Sequence, residues 1–156
     1  MRIFIAGPLF SQAEREFNLR VDEHLRRHGF ETFLPQRDVG KLDELLAKEG
    51  MEAYRAIFER DLRGIEQSDA VVAILDGADV DSGTAFEVGY SFARGKPVIG
   101  LKTDMRVFAK DEELNNMLAQ AIRALARNLD ELIQELRKLQ GGSPCPRTSG
   151  APRINS

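Results

Sequence analysis

One cysteine, Cys145, is all the sequence offers for thiol chemistry, so an intramolecular disulfide is excluded. That scarcity suits a reducing cytoplasm, the expected location, and Cys145 reads as incidental rather than catalytic. Histidine is almost as scarce. His24 and His28 stand four apart with no carboxylate or cysteine cluster at metal-ligand spacing, so neither a metal nor a cofactor is expected. An excess of basic charge is also missing: the formal net charge is −3, with Lys and Arg dispersed among Asp and Glu, which argues against nucleic acid as a partner. No apolar run nears the ~20 residues of a membrane span. The first residues lead directly into the apolar stretch Ile3 to Ala6, without the charged region and cleavage site of a secretory signal, so no membrane association is expected. Glycine-rich phosphate loops are absent as well, since Gly7-Pro8 is neither a Walker loop nor a GxGxxG turn.

What is present fits one globular domain. The 156 residues are 42% hydrophobic and 30% charged, a soluble mixture long enough for a sizeable core. Arg2 to Ala6 reads as a first strand, ended by Gly7-Pro8. Ser11 and Glu14 form a capping-box pattern that opens a helix to about His28, with Phe10, Ala13, Phe17, Val21 and Leu25 as its apolar stripe. Phe30 to Leu34 reads as a second strand halted by Pro35, Gln36 to Gly40 as a loop, and Leu42 to Lys48 as a short helix. Met51 to Glu66 is a long amphipathic helix. The uninterrupted apolar run Ala70 to Leu75 suits a central strand covered on both faces. A helix over Ser82 to Arg94 and a strand over Pro97 to Leu101 follow, and helical patterns over Glu112 to Arg127 and Leu129 to Leu139 finish the domain. Residues 1–140 are thus read as the domain and residues 141–156, with three prolines, as a disordered tail.

Strand and helix alternation predicts a doubly wound α/β fold, a flavodoxin- or Rossmann-like parallel sheet with helices on both faces. Ligands in such sheets sit beyond the carboxyl ends of the strands, which directs attention to the Gly7-Pro8 turn, the Asp76 to Gly83 loop and the Lys102 to Asn115 loop. Gly7, Phe10, Ser82 and Gly83 are the ligand-facing candidates there.

Three acids stand out. Glu87 is the only carboxylate in the almost wholly apolar stretch GTAFEVGYSF, and an ionised carboxylate in a dehydrated setting either finds donors or carries a function. A plain alternative is a side chain that reaches solvent or pairs with a core arginine. Asp61 is spaced four from both Ile57 and Ile65, so it shares a helix face with them, unless a salt bridge to Arg60 or Arg63 accounts for it. Asp81 and Ser82 precede the Glu87 helix, where an N-cap explains either residue and a bound ligand is compatible with both. Asp61, Asp81 and Glu87 could converge on one cleft, as cleavage of a glycosidic bond by a nucleophile and an acid requires.

The segments IFIAGPLFSQAEREFN, RDLRGIEQSDAVVAILDGADVDSGTAFEVGYSFARGKPVIG and LNNM, in that order between residue 2 and about residue 118, resemble the nucleoside 2-deoxyribosyltransferases. The resemblance implies that Glu87 is the nucleophile, that Asp61 is the aspartate of the DLxGI segment, and that Asp81 is the one six residues before the nucleophile. It implies a homo-oligomer in which a neighbouring subunit supplies Asn115, with Met117 beside the base. Substrates would be 2'-deoxynucleosides and free nucleobases, in a salvage reaction with water as an occasional acceptor. Phe4, which the resemblance places among the substrate-binding residues, stands where many relatives have a tyrosine whose hydroxyl touches the nucleophile, so Glu87 is expected to be less well oriented, with a raised pKa.

Two rival readings differ in chemistry. A related 2'-deoxynucleoside 5'-monophosphate N-glycosidase typically has a GSIRGGR first loop and a serine at the place of Asp81; this sequence has Gly7-Pro8-Leu9-Phe10 and the carboxylate, which favours nucleosides. A non-catalytic nucleoside-binding module would use the acids only to hold sugar hydroxyls.

Overall fold

Short apolar runs at regular intervals along the chain become parallel strands because each is covered by helices on both sides. The computed structural model describes residues 1–39, 46, 47 and 50–142. The strands are β1 (Arg2–Ala6), β2 (Glu31–Phe33), β3 (Ala70–Ile74), β4 (Val98–Leu101) and β5 (Ala124–Ala126), in the order β2-β1-β3-β4-β5. Every pairing is parallel. The helices are α1 (Gln12–Arg27), α2 (Pro35–Asp38), α3 (Glu52–Glu66), α4 (Ser82–Ala93), α5 (Asn116–Ala121) and α6 (Leu129–Gln140). This is the doubly wound α/β architecture that the alternation predicts.

Strand alternation sorts the core into two layers. Ile3, Ile5, Val72 and Ile74 face Val21 and Leu25 of α1 and Leu132 and Leu136 of α6. Phe4, Ala6, Val71 and Ala73 face Ile65 of α3, Val88 of α4 and Leu118 of α5. The chain runs outward from β1 to β2, then crosses back to β3 and continues through β4 to β5. That reversal opens a crevice above the carboxyl ends of β1 and β3, the place where such sheets take ligands.

Two segments depart from the sequence reading. The expected loop Gln36 to Gly40 is preempted by α2, because Pro35 sits at the first helical position, where its fixed φ and missing N–H cost nothing. Asp38 then returns a carboxylate oxygen to the Leu34 amide at 2.8 Å. The helix expected over Glu112 to Arg127 is mostly not one. Asn115 caps only the six-residue α5, Ile122 is extended, and Ala124–Ala126 pairs with β4. Open ladder positions on β4 outweigh the helix propensity of Ala, Leu and Arg. Most of the expected Leu42 to Lys48 helix, and residues 143–156 including Cys145, lie outside the described residues. Among those described, no helix is long and apolar enough to cross a membrane, and no three His, Cys, Asp or Glu side chains are grouped to hold a metal ion.

Candidate active site

The loop after β3 delivers one acid and orients another. Asp81 caps α4: its Oδ2 accepts the Thr84 amide at 2.9 Å and the Thr84 hydroxyl at 3.1 Å. Because α4 is built of small and apolar residues, it lies close on the sheet through Thr84, Val88 and Ser91. Glu87 stands beside that buried stripe, with its backbone carbonyl accepting the Ser91 hydroxyl at 2.7 Å. Its side chain is partly accessible, yet little water surrounds the carboxyl. Burial pushes the pKa well above the ordinary glutamate range, and the negative charges of Asp61 and Asp81 push it further.

Asp61 comes from the neighbouring helix, α3. Burial lifts its pKa to about 6, and Oδ1 is enclosed without a hydrogen-bond partner. The salt-bridge alternative weakens, since burial alone accounts for the raised pKa, with no contribution from Arg60 or Arg63. Of the three acids, Glu87 is the one that feels the charge of the other two. Burial of Glu87 and Asp61 and the charges beside Glu87 all act in the same direction, favouring the protonated acid.

Asp61 makes a testable contribution to stability. Its proton is held more tightly folded, at about 6, than at the ordinary value of 3.8. Its contribution is therefore full below about pH 4 and is lost as pH rises through about 6, by at most about 3 kcal/mol. Asp61→Asn should flatten that decline in urea midpoints measured from pH 4 to 7. An unchanged slope would place the Asp61 carboxyl in ordinary solvent.

The remaining candidates divide into three groups. Ser82 and Gly83 are exposed in the first turn of α4, where a Cβ on Gly83 would lie 3.1 Å from Asp81 Oδ2. Gly7 sits tightly at the end of β1; a Cβ there would meet Ile74 Cδ1 at 3.0 Å. Phe10 is 76% exposed at the rim. Phe4 requires a correction: it is fully buried, stacked on Phe33 with ring centroids 5.4 Å apart, and offers no surface to a ligand. Alternation turns its ring into the layer beneath α3 and α4, so it is part of the floor of the site, not its wall. Asn115 and Met117 line a separate cleft of about 660 Å³ between α4 and α5, together with Ser82, Val88 and Phe92. Glu87 is not among the residues that line this cleft.

Two residues that sequence reasoning passed over hold the loops in place. Lys102 has no exposed side-chain surface and donates to the Gly77 carbonyl at 2.9 Å and to Asp104 Oδ1 at 2.6 Å, tying the loop that carries Asp81 to the end of β4. A lysine directly after an apolar strand was the available signal. Asn18 is 3% exposed and donates to the Pro8 carbonyl and to Gln36 Oε1, joining the loops after β1 and β2. Its spacing with Val21 and Leu25 on α1 was the signal there.

The chain as a whole is similar to known proteins. A family model described as nucleoside 2-deoxyribosyltransferase matches residues 3–138. A Thermofilum pendens protein provisionally named 2'-deoxynucleoside 5'-phosphate N-hydrolase 1 is 27% identical over 145 residues, covering 92% of this chain and 97% of its own. A conserved protein of Enterococcus faecalis V583 superposes with a TM-score of 0.75 at 28% identity, over 89% of this chain and 98% of that one. The 2-deoxyribosyltransferase of Bacillus psychrosaccharolyticus shares the fold with a TM-score of 0.69 at 24% identity, over 85% and 90% of the two chains.

Proposed function

This chain belongs to the nucleoside 2-deoxyribosyltransferase family, and on that premise we propose that it transfers the 2-deoxyribosyl group between nucleobases through an ester on Glu87. The observation that supports the reading is the burial of the Glu87 carboxyl together with the negative charges of Asp61 and Asp81 beside it. The Glu87 carboxylate attacks C1'. The bond from C1' to the base nitrogen breaks with its electron pair going to the base, which takes a proton from Asp61 or from water. Asp61, with a pKa of about 6, is suited to hold that proton near neutral pH and to receive one back. A second base then attacks C1' from the vacated face, Glu87 leaves as a carboxylate, and two inversions give net retention. Water in place of the second base gives hydrolysis.

Asn115 and the exposed aromatics support a homo-oligomer. Phe58 of α3 and Phe86 of α4, both half exposed, lie 5.8 Å apart, and Phe92 of α4 and Met117 of α5 are 61% and 77% exposed. Apolar surface of that extent is usual where another chain packs. Association there would bring Asn115 and Met117 of one subunit to the Glu87 site of its neighbour. Incubation with deoxyinosine and adenine tests the proposal: base exchange yields deoxyadenosine and hypoxanthine. Hypoxanthine with free deoxyribose alone would mark a hydrolase, and no product would mark a binding module.

The Thermofilum relative's name favours a second reading, hydrolysis of 2'-deoxynucleoside 5'-monophosphates. Charge in the crevice opposes it. A phosphate close to an ionised Asp81 meets about 1 kcal/mol of repulsion per charge in water-like surroundings, and several-fold more when partly buried. The amides of Phe10 and Ser11, which could receive a phosphate, already donate to Glu14 Oε2 at 2.9 and 2.6 Å. Asp81→Ser should lower kcat/KM for deoxynucleosides about tenfold or more and narrow or reverse the gap to their monophosphates. A wild-type preference for monophosphates would decide for the second reading and leave Glu87 its role.

A further inference from the structure

A glycine inside an amphipathic helix costs about 1 kcal/mol relative to alanine, and Gly64 occupies such a place in α3. The cause lies on the sheet. A Cβ at residue 64 would fall 2.6, 2.8 and 2.9 Å from Cε1, Cδ1 and Cζ of Phe33, closer than real side-chain carbons approach one another. The Phe33 ring cannot easily retreat, because it stacks on the fully buried Phe4 ring at 5.4 Å and 13° on the sheet, with the Arg2 guanidinium 5.8 Å from its centroid.

Asp61 is three residues before Gly64 and shares its helix face. Glu87 is carried by α4, which rests on β3, β1 and β4 through its own contacts. α4 also touches α3, but its seat on three strands holds it, so a lift of α3 off Phe33 moves Asp61 more than Glu87. We propose that Gly64 is a positioning residue: its missing side chain admits the Phe33 ring beneath α3, and that seat sets how closely Asp61 is held to Glu87. The proposal rests on the reading of Glu87 and Asp61 as the reacting acids. The charged groups along this seam are Asp61 and Asp81 beside Glu87 and, toward the carboxyl ends of both helices, Glu66 with its partners Tyr90 and Arg94. A wider seam admits water to Glu87 and removes part of the Asp61 repulsion, and both changes lower its pKa.

The test uses the full chain with Gly64→Ala, following the Glu87 carboxyl by carbon-13 NMR titration, with Glu87→Gln for assignment. The Glu87 midpoint should fall by about half a unit or more, the acid limb of base exchange should move with it, and kcat should fall several-fold more than KM changes. Adding Phe33→Leu should restore the wild-type midpoint, since the ring is the obstacle. Should Gly64→Ala alone fail to fold, the double variant must fold and titrate like the wild type. An unmoved midpoint with a lowered melting temperature, or no restoration by Phe33→Leu, would overturn the proposal. If the wild type shows a raised Glu87 midpoint but no base exchange, the functional reading fails while the positioning result stands.

Discussion

Glu87→Ala should lower kcat/KM for base exchange by about a thousandfold or more, because in the proposed mechanism Glu87 is the group that forms the sugar ester. The fold should survive. A carboxyl whose pKa is raised by burial costs stability once ionised, so its removal relieves that penalty at neutral pH and leaves a small cavity in exchange. The sign is fixed by linkage. Glu87 holds its proton more tightly folded than unfolded, so wild-type stability from this group is complete at acidic pH and declines as pH rises through the folded pKa. The variant should lack that part of the decline, as seen in melting temperatures from pH 4 to 8. Near-wild-type turnover in Glu87→Ala would remove it from the mechanism.

Mixing two inactive variants should restore activity. In one subunit Asn115 lines the cleft between α4 and α5, whose lining does not include Glu87. If Asn115 serves the neighbouring site, Glu87→Ala and Asn115→Ala subunits fail separately but form one intact site in each mixed pair. Statistical exchange makes half of the pairs mixed with one working site of two, so about a quarter of wild-type activity should return. No recovery, with subunit exchange verified by mass, would mean that each subunit completes its own site.

The legible parts of the molecule were those where local pattern and tertiary role agree. Ala70 to Leu75 is apolar because both faces of β3 are covered, and Ser11 with Glu14 reads as a capping box because both hydrogen bonds of the box form. Glu87 and Asp61 stood out because a charge on an apolar stripe is costly unless it has a task. The resemblance in the DLRGI and AFEVGY segments then attached a chemistry to them. What escaped depended on partners distant in sequence. Ala124 to Ala126 is a strand only because β4 has an open edge, and nothing in its composition says so. Phe4 looked like a ligand contact by its place in the motif, but the Phe33 stack that buries it joins two strands. Lys102 was hidden for a similar reason, since its acceptors, Gly77 and Asp104, surround it only after β3 and β4 pair.

The central claim is that Glu87 becomes bonded to the sugar. A 2-fluoro-2-deoxy nucleoside slows both steps, because the fluorine destabilises the oxocarbenium-like transition state inductively, and the ester then accumulates long enough to be isolated. After brief incubation, acid quench and digestion, mass spectrometry should find one fluorodeoxyribosyl group on the peptide containing Glu87, and it should disappear when a nucleobase is added before the quench. A label on Asp61 or Asp81, or turnover of the analogue with no labelled peptide, would contradict the account.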